Sequence, residues 1–302
     1  LRDRGVEVGV LRHPMPYGDL RAEVVQRFAT AADFDLHRCT IEEREEYAPY
    51  IAMGIPVFAG VDYARVLAAA EVDAEVILWD GGNNDYPFVR PDLSIVVVDA
   101  LRPGHEVTYH PGETNLRAAD VVVISKVGRA RPEDIARVEA NVAEVNPLAS
   151  VLHADLRVRV EPEGAIAGKR VLTVEDGPTV THGGMAFGAA TVAAREGGAL
   201  AIVDPRPTAR GSIAEAYRAY PHLGAVVPAL GYSEAQRADL RATILAAAPD
   251  LVIDGSPAGV VDMLGIDLPS VRARYAVKFV LGAPLTSIVD ARLEGMRKEP
   301  AW

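Results

Sequence analysis

One cysteine, Cys39, among 302 residues leaves no internal disulfide framework and no Cys-based zinc site. Long apolar runs are missing as well: no stretch approaches the length that crosses a bilayer, and Leu1-Arg2-Asp3-Arg4-Gly5 is unlike a signal peptide. Basic residues are outnumbered, 31 Lys and Arg against 42 Asp and Glu, and the formal charge of −11 argues against a nucleic-acid or anionic-membrane face. These absences point to a reducing, cytoplasmic setting and a small-molecule partner. An anionic substrate would then need a local basic pocket. The oligomeric state is open, a homo-oligomer included.

What is present is an alternation of buried strands and helices. Val6 to Arg12, Leu93 to Ala100 (LSIVVVDA) and Asp120 to Val127 (DVVVISKV) are apolar without a period of two, as strands covered on both faces are. Asp62 to Glu71 reads as an amphipathic helix, and Pro132-Glu133-Asp134 opens another with proline in its first turn and acids at the positive dipole end. Thr40/Glu43, Ser212/Glu215 and Ser233/Gln236 have capping-box spacing. The order predicts an α/β protein with a doubly wound, mostly parallel sheet. The pattern breaks at Glu161-Pro162-Glu163-Gly164. Expected units are residues 1–162, a smaller α/β domain over 163–285, and a C-terminal helix and frayed tail over 286–302. LRDRG resembles the last turn of a helix stopped by glycine, so the chain reads as starting inside a domain.

The stretch EVILWDGGNND ends an apolar strand on Asp80 and follows it with Gly81 and Gly82. A strand that delivers one Asp to the edge of a parallel sheet is a means of holding Mg²⁺, and glycines let backbone or phosphate approach closely. The plain alternative is a strand and an ordinary turn. Asp99 ends the next strand in the same way, and spacing alone does not separate the two as metal organiser.

In open α/β sheets ligands bind beyond the carboxyl ends of the strands. His13, His105, His110, His153, His182, Arg102 and Arg206 are expected in loops at or after strand ends. Any one of these histidines fits a solvated loop; five together fit an anion site. Metal ligation competes, without the tight spacing or cysteine pair such sites show. Ile124 to Gly128 (ISKVG) stands where nucleotide-binding sheets carry Asn-Lys-x-Asp for guanine. Ser125 replaces the asparagine and Gly128 the aspartate, which removes the carboxylate acceptor and favours ATP or weak base selectivity. Lys126 could pack its stem over a base and Ala154 could line the far side.

RHPMPYGDL, CTIEEREEY, VILWDGGNND, RPGHE, HPGETNLRAADVVVISK, VEDGPTVTHGGM, VDPRP and GSIAEAY together resemble the cyclic 2,3-diphosphoglycerate synthetase family, from Val6 to about Leu293. The resemblance implies a P-loop NTPase related to metallochaperone-type GTPases, with ATP and Mg²⁺ as cofactors. The reaction implied is closure of 2,3-bisphosphoglycerate to the cyclic phosphoanhydride with release of ADP and phosphate. Asp80, Arg102 and His105 would act in catalysis, and His13, His182 and Arg206 would hold the substrate. Gly81, Gly82, Lys126 and Ala154 would contact nucleotide, with Asp80 and Asp99 on the metal. The family's phosphate loop, G-x-x-x-x-G-K-[ST], does not occur in these residues, so this chain alone is expected to be inactive. A GTPase-like switch or metallochaperone of the same class is the alternative.

Overall fold

The computed structural model describes residues 1–15, 18–81, 85–230, 233–257 and 259–298. The chain divides into two compact units, Leu1–Leu156 with Val277–Trp302, and Arg157–Ala276. The division falls at Leu156 rather than at residue 162, and the C-terminal helix Leu285–Lys298 lies in the first unit. The reason is local. The strand that begins at Ser150 runs on to Glu161, its second half alternating Arg with Val158 and Val160, which pack on the second unit's core. Composition marks the loop after that strand, not a break within it.

In the first unit β1 (Val8–Arg12), β2 (Gln26–Phe28), β3 (Val57–Ala59) and β4 (Val76–Asp80) form a sheet in the order β2-β3-β1-β4. β2 is antiparallel to β3; the other pairs are parallel. β5 (Ile95–Asp99), β6 (Val121–Ser125) and β7 (Ser150–Glu161) pair in parallel, with Asp99 opposite Ser125 and Ile124 opposite His153. β6 shows why its sequence lacks alternation. Val122 and Ile124 pack with Val138 and Val142 of helix Pro132–Val145, while Val121 and Val123 pack with Leu285 and Ile288 of the C-terminal helix. Both faces are thus dry, and each valine contributes roughly 1.5–3 kcal/mol by leaving water. β4 and β5 are as apolar but less covered: Leu78, Ile95 and Val97 are each at least 40% exposed.

In the second unit β8 (Arg170–Glu175), β9 (Ala201–Ile202), β10 (Val227–Pro228), β11 (Leu251–Gly255) and β12 (Ser270–Leu281) give the order β10-β8-β11-β12, with β9 also on β8. These pairs are parallel. Helices Ala189–Glu196, Gly211–Ala219 and Glu234–Ala247 cover it. The capping boxes form at Thr40/Glu43 and Ser233/Gln236. Ser212 does not cap its helix. Arg210 takes that position, and the Ser212 N–H and hydroxyl both donate to Asp239. The tail also differs from a frayed end, because Leu285–Lys298 is helical. No helix among the described residues is long and apolar enough to cross a membrane.

Candidate active site

The register of β1 against β4 sets Arg12 beside Asp80. Arg12 Nη1 donates to Asp80 Oδ2 at 2.7 Å and to the Asp80 carbonyl at 2.9 Å. Helix Ile41–Ala52 adds two groups one turn apart: Glu46 accepts from Arg12 Nη2, and the Tyr50 hydroxyl donates to Asp80 Oδ2. Burial alone would lower the Arg12 pKa, but Glu46 and Asp80 outweigh it and the guanidinium is held charged. Burial, and then the bond to Asp80, push the Tyr50 phenol up, so it stays a donor. Arg12 Nε is buried without an acceptor among the described residues.

A second charged group forms at the end of β5. Asp99 Oδ2 accepts from Lys126 Nζ at 2.7 Å, Oδ1 accepts from the Leu101 N–H at 3.0 Å, and Arg102 Nε stands 3.9 Å away. Lys126 holds a left-handed backbone, φ 62°, and so turns back from β6 toward Asp99. His105 begins a short 3₁₀ turn, exposed, with its ring edge-on to Tyr109 at 4.9 Å. His13 is exposed immediately beyond β1.

The remaining expected site residues are placed differently from one another. Gly81 lies under the Trp79 ring; a Cβ there would meet the indole at 2.1 Å, so packing by itself calls for glycine. Gly82, with Asn83 and Asn84, lies outside the described residues. Ala154 is 1% exposed in the cluster with Val121, Val123 and Leu152, and only its carbonyl reaches the loop after β6, accepting from the Val127 N–H at 3.3 Å. His153 is inside β7, not in a loop, and its Nε2 pairs with Glu139 at 2.9 Å. In the second unit His182 lies between the Thr181 and Tyr220 hydroxyls, at 3.2 and 3.1 Å, and Arg206 forks onto Asp204 at 2.9 and 2.6 Å.

Sequence reasoning missed Arg12, Glu46 and Tyr50. The available signal was a charged residue closing the apolar strand VGVLR; that β1 would lie next to β4 was not readable from either segment. The thiol of Cys39 is pushed up to about 12, by burial first and then by Glu43, so it is no thiolate nucleophile at neutral pH. A cavity of about 260 Å³ lies at the other end of β1, lined by Arg2, Val6, Glu7, Arg27 and Asp73. It is at the opposite end of the β1–β4 pair from Arg12 and Asp80.

Among the described residues no three His, Cys, Asp or Glu side chains gather as a metal cage. The Asp80 carboxylate nevertheless fits Mg²⁺ of the phosphate-bound kind, which needs one or two protein carboxylates and otherwise keeps water and phosphate oxygens. Its side chain is 39% exposed, and Oδ1 has no donor among the described residues. Both Asp99 oxygens are engaged.

Residues 52–154 match the P-loop domain of cyclic 2,3-diphosphoglycerate synthetase. That span holds Asp80, Asp99, Arg102, His105 and Lys126. An arginine synthetase, ArcE, of Thermococcus kodakarensis is 52% identical over 290 residues, which is 96% of this chain and 65% of that protein. The chain therefore spans just under two thirds of this relative's length. The cyclic 2,3-diphosphoglycerate synthetase of Methanothermus fervidus is 30% identical over 117 residues, 38% of this chain and 25% of that protein. Among solved structures, LpxK from Aquifex aeolicus in complex with ATP superposes with a TM-score of 0.50 at 11% identity, covering 97% of this chain and 80% of that one. That likeness, with the domain match, places the chain in the P-loop NTPase fold.

Proposed function

We propose that this chain works in an ATP-dependent ligase, in which phosphoryl transfer from ATP activates an oxygen of a small substrate before a second group displaces the phosphate. The observation that carries the nucleotide part is the Asp80 carboxylate at the end of β4, within the matched P-loop domain, its Oδ1 open, among the described residues, beside a guanidinium whose Nε lacks an acceptor there. Mg²⁺ on that carboxylate would neutralise β- and γ-phosphate charge. Arg12 holds Asp80 in place, and Tyr50 fixes the carboxylate from the other side. Arg102 and His105, exposed beyond β5, are the candidate contacts for transferring or substrate oxygens.

The identity across 96% of the chain favours arginine, the product in that relative's name, and the ligation that fits such a product forms a C–N bond. Chemically, the oxygen of arginine's ureido counterpart would attack the γ-phosphorus and release ADP. Ammonia would then bond to the ureido carbon, and phosphate would leave with the oxygen. Closure of 2,3-bisphosphoglycerate is the second reading, favoured by the match over residues 52–154. There one substrate phosphate accepts the γ-phosphoryl group as ADP leaves, and an oxygen of the other then attacks the phosphorus of that first substrate phosphate, so that the γ-derived group leaves as inorganic phosphate.

No G-x-x-x-x-G-K-[ST] pattern occurs in the 302 residues, and the apolar strands β4 and β5 leave Leu78, Ile95 and Val97 exposed. In this reading the phosphate cradle comes from polypeptide other than these residues, which by themselves turn over no ATP. The test supplies that polypeptide, ATP and Mg²⁺, and follows ³¹P NMR with either the ureido amino acid plus ammonium or 2,3-bisphosphoglycerate. ADP and phosphate formed with arginine, and lost in Asp80→Ala, are expected. Resonances of a cyclic phosphoanhydride would move the second reading into first place; product from neither substrate removes the ligase reading.

A further inference from the structure

The loop after β6 lacks a carboxylate of its own, because Gly128 stands where a base-reading aspartate would be. The structure puts one there from elsewhere. A Cβ built on Gly128 would meet Asp155 Oδ2 at 2.5 Å, Cγ at 2.8 Å and Oδ1 at 3.0 Å. The space of a side chain at position 128 is thus filled by the carboxylate of Asp155, which lies on β7 just beyond the last residues paired with β6. Asp155 is half-buried, and its Oδ1 accepts from the Leu156 N–H at 2.9 Å. Among the described residues Oδ2 has no donor and no cation pairs with the group. It therefore neither closes an ion pair nor caps a helix, and an acceptor-only group is left beside the Lys126 turn.

The loop around Asp155 is tied down at two points. Lys126 holds a left-handed backbone, and its ammonium is drawn onto Asp99 at 2.7 Å. The Val127 N–H is bound to the Ala154 carbonyl at 3.3 Å, which ties the loop to the strand that carries Asp155. Resting on the nucleotide part of the proposed function, we propose that Asp155 is the specificity residue for the nucleotide base, accepting from an amino-bearing purine edge. Adenine offers the N6 amino group and guanine the N1–H with the N2 amino group; a purine without an exocyclic amino group offers neither. An aspartate at 128 and one at 155 would occupy the same space, so Gly128 and Asp155 act as a matched pair.

The probes are nucleosides, because the base is read without help from a phosphate cradle. Saturation-transfer NMR on the 302-residue protein would compare adenosine, guanosine and purine riboside, with ATP in parallel. Adenosine or guanosine is expected to bind about tenfold more tightly than purine riboside, the loss of one hydrogen bond to a charged acceptor. The preference is expected to disappear in Asp155→Ala while purine riboside binding stays unchanged. Whichever of adenosine and guanosine gains more identifies the base. If ATP binds but the nucleosides show no preference, or Asp155→Ala keeps it, the inference falls alone. If no nucleoside binds, the inference falls, and the nucleotide reading, which takes its phosphate cradle from other polypeptide, is decided separately by the ³¹P NMR test. Gly128→Asp with Asp155→Gly, which moves the carboxylate back to the loop, should restore the preference; failure to do so in a folded protein also counts against the pairing.

Discussion

Both units end strands on carboxylates, and they treat them in opposite ways. In the first unit Asp80 and Asp99 remain 39% and 25% exposed and are held by Arg12 and Lys126, cations on long side chains. In the second, Glu175 and Asp254 are 0% and 1% exposed and are held by fixed donors. Glu175 accepts from the Ala190 and Thr191 N–H groups and the Thr191 hydroxyl; Asp254 accepts from the Ser256 N–H and hydroxyl and the Val261 N–H. A strand-end carboxylate is therefore no functional signal by itself. One that closes onto backbone N–H groups in a dry site builds the fold, whereas one paired with a cation and still open to water can take a ligand.

The comparison breaks if Glu175 proves dispensable. Glu175→Ala leaves the buried Ala190 and Thr191 N–H groups without an acceptor, and at about 1–3 kcal/mol each a loss of about 3 kcal/mol is expected in urea unfolding. Its charge also has a pH signature. Burial raises the Glu175 pKa from 4.5, and the bonds from Thr191 only partly oppose this. The folded state then holds its proton more tightly than the unfolded chain. Stability from this group is full below 4.5, declines as pH rises through the raised folded value, and is flat above it. Glu175→Gln should remove that slope, seen in unfolding midpoints across the acid range; an unchanged profile would show that burial does not set this group's protonation.

Arg12→Ala tests the other side of the contrast. It strands Asp80 and Glu46 in a half-buried site, at an expected cost of about 1–2 kcal/mol, less than for a fully buried pair because water screens Asp80. If the site is built to exchange partners, millimolar Mg²⁺ should recover part of that loss by occupying Asp80, and no such recovery is expected for Glu175→Ala. Midpoints with and without Mg²⁺ decide it.

How far these sites were legible follows from the same physics. The strands VVVIS and VILWD, the helix at Pro132 and the carboxylate at each strand end could be read because they rest on local composition. The partners could not. Arg12 meets Asp80 through strand register, Tyr50 through the helix that packs beside it, and Asp155 meets Gly128 because β7 outruns β6. Each is a contact of distant segments that no spacing encodes. Conversely, His153 reads as an edge residue only if the strand ends near it, whereas β7 runs on through the alternating LRVRVE to Glu161. Ser212 looked like a cap because its spacing is right, although Asp239 claims it across helices.

The smallest expected effect belongs to Arg206→Ala. The guanidinium forks onto Asp204 on an exposed turn after β9, and the hydrogen bonds it gives hold the Asp204 carboxyl below its usual range. Two charges in water gain little from pairing, so the unfolding midpoint at neutral pH should hardly move. What should move is the titration. A depressed carboxyl contributes stability that is present above its unfolded pKa and lost as pH falls through the folded value. Without Arg206 the Asp204 resonance should titrate nearer the ordinary carboxylate range, and the slight difference between variant and parent should vanish in acid. A large drop at neutral pH would show instead that this pair builds the second unit, and exposure would cease to separate the two kinds of carboxylate.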